Sequence, residues 1–125
     1  MNYLLDVSVL VALLWPRHVH HKIANDWIAG KKLTLCPLVE LGFLRVSTSP
    51  AFNATMTDAR KALADFYRDS KPGFIAADIH ALAGEIAPSS SKTTDWYLAN
   101  LAVAHKLKWA TLDNGAKHPA AELVN

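Results

Sequence analysis

The chain has a single cysteine, Cys36, among 125 residues. No intramolecular disulfide can form, and a reducing cytoplasm is the expected compartment. Glycine is scarce, at five residues, and none of it makes a glycine-rich phosphate loop of the dinucleotide or nucleoside-triphosphate kind. Long apolar runs are missing too. The uninterrupted stretch Val7 to Trp15 falls far short of the roughly 20 residues that span a bilayer. Met1 to Trp15 also fails as a signal peptide: it has no basic leader, Asp6 interrupts it, and no small-residue cleavage site follows. There is no polybasic arm or acidic tail, no internal repeat and no Pro/Gly/Ser-rich linker that would divide the chain. Thirteen Lys and Arg face eleven Asp and Glu, a formal charge of +2 with six histidines neutral. Bulk charge alone therefore does not announce a nucleic-acid binder.

What remains is the composition of one globular domain, residues 1–125, with 51% apolar and 19% charged residues. A chain of this size buries roughly two-thirds of its unfolded surface and holds a core without staples. Tyr3-Leu4-Leu5 reads as a buried strand. Ser8 is placed to cap a helix over Val9–Leu14 that stops at Pro16. Helical spacing covers His20–Ala29, and Leu33–Cys36 is a second strand. Pro37 opens a helix that reaches Thr48. Thr57 or Asp58 caps an amphipathic stretch to Asp69, with Ala59, Leu63 and Phe66 on one stripe. Lys71-Pro72-Gly73 is a turn, Phe74–Ala76 a short strand and Ile79–Ile86 a helix. After the loop Pro88–Ser91, Thr94 caps a helix from Asp95 to Leu107 with His105 on its inner stripe. Trp109–Leu112 is a strand, and a last edge strand lies near Leu123-Val124. Alternating strands and helices predict an α/β sandwich with a central, mostly parallel sheet flanked by helices. In such sheets the ligand site lies beyond the carboxyl ends of the strands.

Sorted by position, the eleven acids fall into two groups. Asp26, Asp58, Asp65, Asp69, Glu85 and Glu122 sit in polar or amphipathic segments, as solubility requires; Asp78 is ambiguous. Asp6 ends the first strand, Glu40 lies in the first turn of the helix after the second, Asp95 opens the helix after the serine loop, and Asp113 ends the strand Ala110-Thr111-Leu112. A parallel fold can bring these four together. Two unit charges about 5 Å apart at an effective dielectric of 20 repel by roughly 3 kcal/mol, so such a cluster needs a cation or protonated members. Oxygen ligation without paired Cys or His points to Mg2+ or Mn2+, and thence to metal-assisted hydrolysis of a nucleic-acid phosphodiester. Setting those four aside leaves seven acids against thirteen bases, a surface more basic than the formal charge suggests.

Leu4-Leu5-Asp6-Val7-Ser8-Val9-Leu10-Val11-Ala12-Leu13 resembles the opening strand and helix of PIN-domain ribonucleases. Cys36-Pro37-Leu38-Val39-Glu40-Leu41-Gly42-Phe43-Leu44-Arg45-Val46 resembles the second motif of the VapC-type toxins in that family. Thr94-Asp95-Trp96-Tyr97-Leu98-Ala99-Asn100-Leu101-Ala102 and Ala110-Thr111-Leu112-Asp113 resemble its third and fourth. Order, spacing and length match over essentially the whole chain. The resemblance implies a PIN-like three-layer sandwich and an acidic pocket of Asp6, Glu40, Asp95 and Asp113 holding one or two Mg2+ or Mn2+ ions for RNA cleavage. It also implies a type II toxin–antitoxin setting, with an antitoxin protein as partner and a homodimeric toxin. The family often carries Asn where Ser8 stands; a serine hydroxyl can still bond a metal-bound water or a carboxylate. Thr111 is a candidate for a similar supporting role.

Other residues read more blandly. His18, His20 and His21 form a polar helix start rather than a zinc site, which would need further spaced ligands. Lys31, Lys32, Lys106, Lys108 and Lys117 are candidates for an RNA-contacting rim. Trp96, beside Asp95, is the tryptophan best placed for stacking on a base. Two alternatives compete with the nuclease: a receiver-like signalling module, although only one acid follows the first strand, and a non-catalytic RNA-binding PIN domain.

Overall fold

The structure, a computed structural model, describes all residues from Met1 to Asn125. Its elements run β1 (Asn2–Leu5), α1 (Val7–Leu14), α2 (His21–Trp27), β2 (Lys32–Leu35), α3 (Pro37–Ser47), α4 (Met56–Ser70), β3 (Gly73–Phe74), α5 (Thr93–Ala104), β4 (Lys108–Thr111) and β5 (Ala121–Leu123). A 3-10 turn over Ser90–Lys92 leads into α5.

All five strands are parallel, in the order β3-β2-β1-β4-β5. The central β1 is buried on both faces, and consecutive Leu4 and Leu5 have no exposed surface, the pattern of a parallel strand covered on both sides. α1 packs on α2 and α3, and α3 on α4, while α5 packs on β1 and β4. The chain steps outward from β1 through β2 to β3, then returns to place β4 on the other side of β1. Right-handed crossovers in opposite directions put their helices on opposite faces, which produces the three layers. Receiver domains place their first strand between the second and third. Here β1 lies between β2 and β4, so the receiver-like alternative has the wrong topology.

Several local expectations are corrected. Asp6, not Ser8, is the N-cap of α1: its carboxylate accepts the Val7 N–H at 2.8 Å and the helix starts at Val7. Thr55 caps α4 by accepting the Asp58 N–H at 3.0 Å. Residues 79–86 form turns rather than a helix; Gly84 has φ +75°, and Leu82 and Ile86 stand in solvent. α5 ends at Ala104, because Lys106 takes φ +60° and the Lys106 and Leu107 N–H groups bond back to Val103 and Ala102. That closure is a Schellman motif with lysine in the usual glycine position. His105 is therefore a half-buried helix end with Nε2 2.8 Å from Asp78 Oδ1, not a core residue. β3 is shorter and earlier than expected, and β5 starts at Ala121. No helix is long and apolar enough to cross a membrane.

Candidate active site

Reversal of strand order between β1 and β4 opens a crevice at their carboxyl ends, where loops diverge to opposite faces. The register fixes what reaches it. Leu5 pairs with Ala110, so Asp6 and the segment Thr111–Asp113 emerge side by side, and the Asp6 N–H donates to the Ala110 carbonyl at 2.8 Å. α5 lies on these same two strands and brings Asp95 in its first turn. Asp6, Asp95 and Asp113 line one open cleft of about 480 Å³ with Ser8, Val11, His18, His20, Val46 and Phe52.

Asp6 is the fixed member. It is 5% exposed, and its carboxylate accepts three hydrogen bonds: the Val7 N–H on Oδ1, and the hydroxyls of Ser8 and Thr111 on Oδ2, each at 2.8 Å. Burial raises its pKa, and the charge of Asp113 adds to the rise, against the lowering by these hydrogen bonds. Thr111 Oγ1 also accepts the Asp113 N–H at 3.1 Å, and Ser8 Oγ accepts the Leu112 N–H at 3.4 Å. Both hydroxyls thus tie the end of β4 to Asp6. Thr111 is 1% exposed, and this bonding goes beyond the filling of a strand position.

Asp95 is half-buried and has no side-chain hydrogen bond. Burial, followed by the charge of Asp6 and a smaller push from Asp113, raises its pKa to about 6, despite the opposing pull of Lys92. Asp113 is held low by the Lys92 ammonium, whose Nζ is 2.5 Å from Oδ2, and by the Gly115 N–H on Oδ1 at 2.9 Å. Lys92 was not among the lysines singled out in the sequence. Its position three residues before Asp95, one turn away on a helical path, is the signal that could have found it.

Glu40 does not join the other three in this cleft. Its carboxylate accepts the Tyr67 hydroxyl at 2.8 Å and lines a neighbouring groove of about 460 Å³ between α3 and α4, with Leu41, Leu44 and Arg60. As the side chains stand, no three Asp, Glu, His or Cys residues converge at ligand distance. The donor set nonetheless has the chemistry of a hard-cation site: oxygen atoms only, a carboxylate without a partner in Asp95, and mutual repulsion that a divalent ion would relieve.

Two other expectations fail. Trp96 is 7% exposed and packs edge-on against His118, so it offers no face to a base. Lys32 and Lys108 begin β2 and β4, with Lys31 and Lys106 just before them. These four lie at the amino ends of the parallel strands, the end of the sheet opposite the acids.

A family model for the PIN domain matches residues 3–122. The chain belongs to the PIN-domain family. This PIN domain is 32% identical over 120 residues to Ribonuclease VapC38 of Mycobacterium tuberculosis, covering 90% of this chain and 85% of the relative. It is 33% identical over 129 residues to Ribonuclease VapC39 of the same species, covering 90% and 89%. Among solved structures, the crystal structure of VapBC2 from Rickettsia felis bound to a DNA fragment from their promoter aligns over the full length of both chains, with a TM-score of 0.64 at 14% identity. That likeness extends the agreement to the fold.

Proposed function

We propose that this PIN domain is an endoribonuclease of the VapC type that hydrolyses RNA phosphodiester bonds with Mg2+ or Mn2+. The observation that carries this reading is the convergence of Asp6, Asp95 and Asp113 on the cleft at the strand-order reversal, in a chain whose relatives are named ribonucleases. Asp6, Asp95 and Asp113 would hold the ion, and Glu40 would join them from α3 only once its carboxylate turned from Tyr67 and the neighbouring groove toward the cleft. When bound, the ion neutralises the acids, lowers the pKa of a water and stabilises charge on the phosphate. Ser8 and Thr111 keep the Asp6 carboxylate in one orientation, so that it is ready without reorganisation. Lys92 keeps Asp113 ionised and hence able to ligate.

The physiological role that follows is the toxin of a type II toxin–antitoxin pair in the cytoplasm, held as a homodimer and silenced by a cognate antitoxin protein. Resemblance to VapC proteins supports this, and separately exposed apolar side chains, Leu41 on α3 and Leu82 and Ile86 in the segment before α5, offer surface to protein partners.

Cleavage of an RNA pool by purified protein in millimolar Mg2+, Mn2+ or EDTA tests the reading, with Asp6→Ala and Asp95→Ala beside wild type. Cleavage in metal only, lost in both variants, supports it. Equal cleavage by the variants, or RNA binding without turnover, removes it; the second outcome favours the non-catalytic RNA-binding domain.

A further inference from the structure

His18 and Phe52 line the acid cleft, and the same two residues line a second cavity of about 470 Å³ with Trp15, Pro16, Arg17 and Ala54. They form the wall between the two. Their rings are stacked, with centroids 5.9 Å apart and an interplanar angle of 11°. Phe52 is 43% exposed, and nothing in its own core demands it.

The wall is built rather than loose. Phe52 sits in a turn closed by its N–H and that of Asn53 on the Ser49 carbonyl, with the Ala54 N–H on Ser47 O. His18 is fixed by the His20 N–H, which donates to Nδ1 at 3.0 Å, so the ring's remaining nitrogen, Nε2, carries the proton of the neutral form. Trp15 is anchored from behind: its Nε1–H donates to Ser47 Oγ at 2.8 Å, and its ring stacks on Phe43 at 5.9 Å and 11°. The cavity therefore combines flat aromatic faces and Arg17 with a wall, His18 and Phe52, whose other side lines the cleft of the carboxylates.

We propose that this cavity is a nucleobase subsite, in which one base of the RNA stacks on the Phe52–His18 wall while the adjoining phosphate lies at the acids. The proposal rests on the ribonuclease reading. A nucleobase suits the site because every base presents a π-face to an aromatic side chain, and Arg17 can bond its edge or the next phosphate. Such a subsite would set which nucleotide flanks the cut.

The test is cleavage of a short RNA in which each nucleotide around the cut is replaced in turn by an abasic riboside. It uses wild type, Phe52→Ala and Phe52→Trp. Wild type is expected to lose about tenfold or more in kcat/KM at one abasic position. Phe52→Ala should lose as much on intact RNA, lose nothing further at that position and keep its melting temperature; Phe52→Trp should recover. Independent, multiplying losses from Phe52→Ala and the abasic site overturn the subsite, as does unchanged cleavage of intact RNA. Loss of antitoxin inhibition with normal cleavage also overturns it, assigning the cavity to a protein partner. Absence of wild-type cleavage, or its persistence in Asp6→Ala, is the separate failure of the ribonuclease reading. In that case, binding of a 2′-O-methyl oligonucleotide still decides: equal affinity in wild type and Phe52→Ala overturns the subsite, and weakened affinity restored by Phe52→Trp supports it.

Discussion

Lys92 crosses 21 positions of sequence to set its ammonium 2.5 Å from Oδ2 of Asp113. The pair is one-third exposed on each side, so its strength is moderated by solvent. Its consequence is local: it supplies positive charge to a cleft that holds three carboxylates, and it also acts on Asp95 and Asp6. A bound divalent ion and this ammonium answer the same need. Lys92→Met is therefore expected to melt lower than wild type in EDTA and to gain more than wild type on adding Mn2+. Thermal unfolding across a metal titration measures both. Identical metal-induced shifts in the two proteins would separate Lys92 from the ion site.

Asp95 gives the metal-free protein a pH signature. Its folded pKa is raised to about 6, so the stability linked to it is complete below the ordinary aspartate range, near 4, and is lost as pH rises through about 6. Asp95→Asn removes the charge and keeps the shape. In EDTA, the variant's melting temperature should gain on wild type between pH 4 and 7 and level off above. A constant offset across that range would show that Asp95 does not feel Asp6 and Asp113.

Ser8 and Thr111 share one carboxylate oxygen, and their removal should not be equivalent. Thr111→Val takes a donor from Asp6 and an acceptor from the Asp113 N–H in a buried place. Losing an outer hydrogen bond of a metal site typically costs about 10–100-fold, so kcat is expected to fall in that range with a rise in the metal midpoint and little change in KM for RNA. Ser8→Ala, at a half-buried position with a longer 3.4 Å bond to the Leu112 N–H, should cost less. Equal losses in KM alone would point to RNA contact instead.

Asn100 organises the irregular segment before the serine loop. Its amide donates to the Ala83 and Glu85 carbonyls and its oxygen accepts from the Glu85 N–H and from His118 Nε2. An added Cβ on Gly84 would lie 2.5 Å from Asn100 Cγ at φ +75°. Asn100→Ala leaves the buried His118 ring and the backbone groups of Ala83 and Glu85 without their partner and should destabilise by about 1–2 kcal/mol, measured by urea unfolding. Because His118 is held neutral by burial, its contribution is present above the ordinary histidine range and fades as pH falls through its lowered pKa. The penalty of Asn100→Ala should shrink at acid pH.

Much of this arrangement was legible in the chain itself. Apolar runs ending in acids located β1 and β4, the strand-end rule pointed to Asp6 and Asp113, and Asp95 stood out as the acid opening the helix after the serine loop. What was hidden depends on contacts distant in sequence or on unusual backbone. Capping by Asp6 rather than Ser8 is a choice between two good caps only two residues apart. The segment 79–86 has helical apolar spacing, but Asn100 and His118 supply tertiary hydrogen bonds that hold it irregular. Lys106 ends α5 from a left-handed conformation that sequence signals reserve for glycine. Glu40 shows the limit of spacing as a guide: it occupies its expected turn of α3, yet Tyr67 from α4, 27 residues away, turns its carboxylate into the neighbouring groove.

The central claim is that Asp6 and Asp95 act on one metal-dependent step. Mn2+-dependent cleavage of one RNA by wild type, Asp6→Asn, Asp95→Asn and the double variant tests it most directly. Residues that act as a unit are strongly non-additive. Each single variant is expected to lose about 1,000-fold or more in kcat, and the double variant no more than the worse single one. Near-wild-type cleavage by either single variant, or losses that multiply in the double, would contradict a shared site.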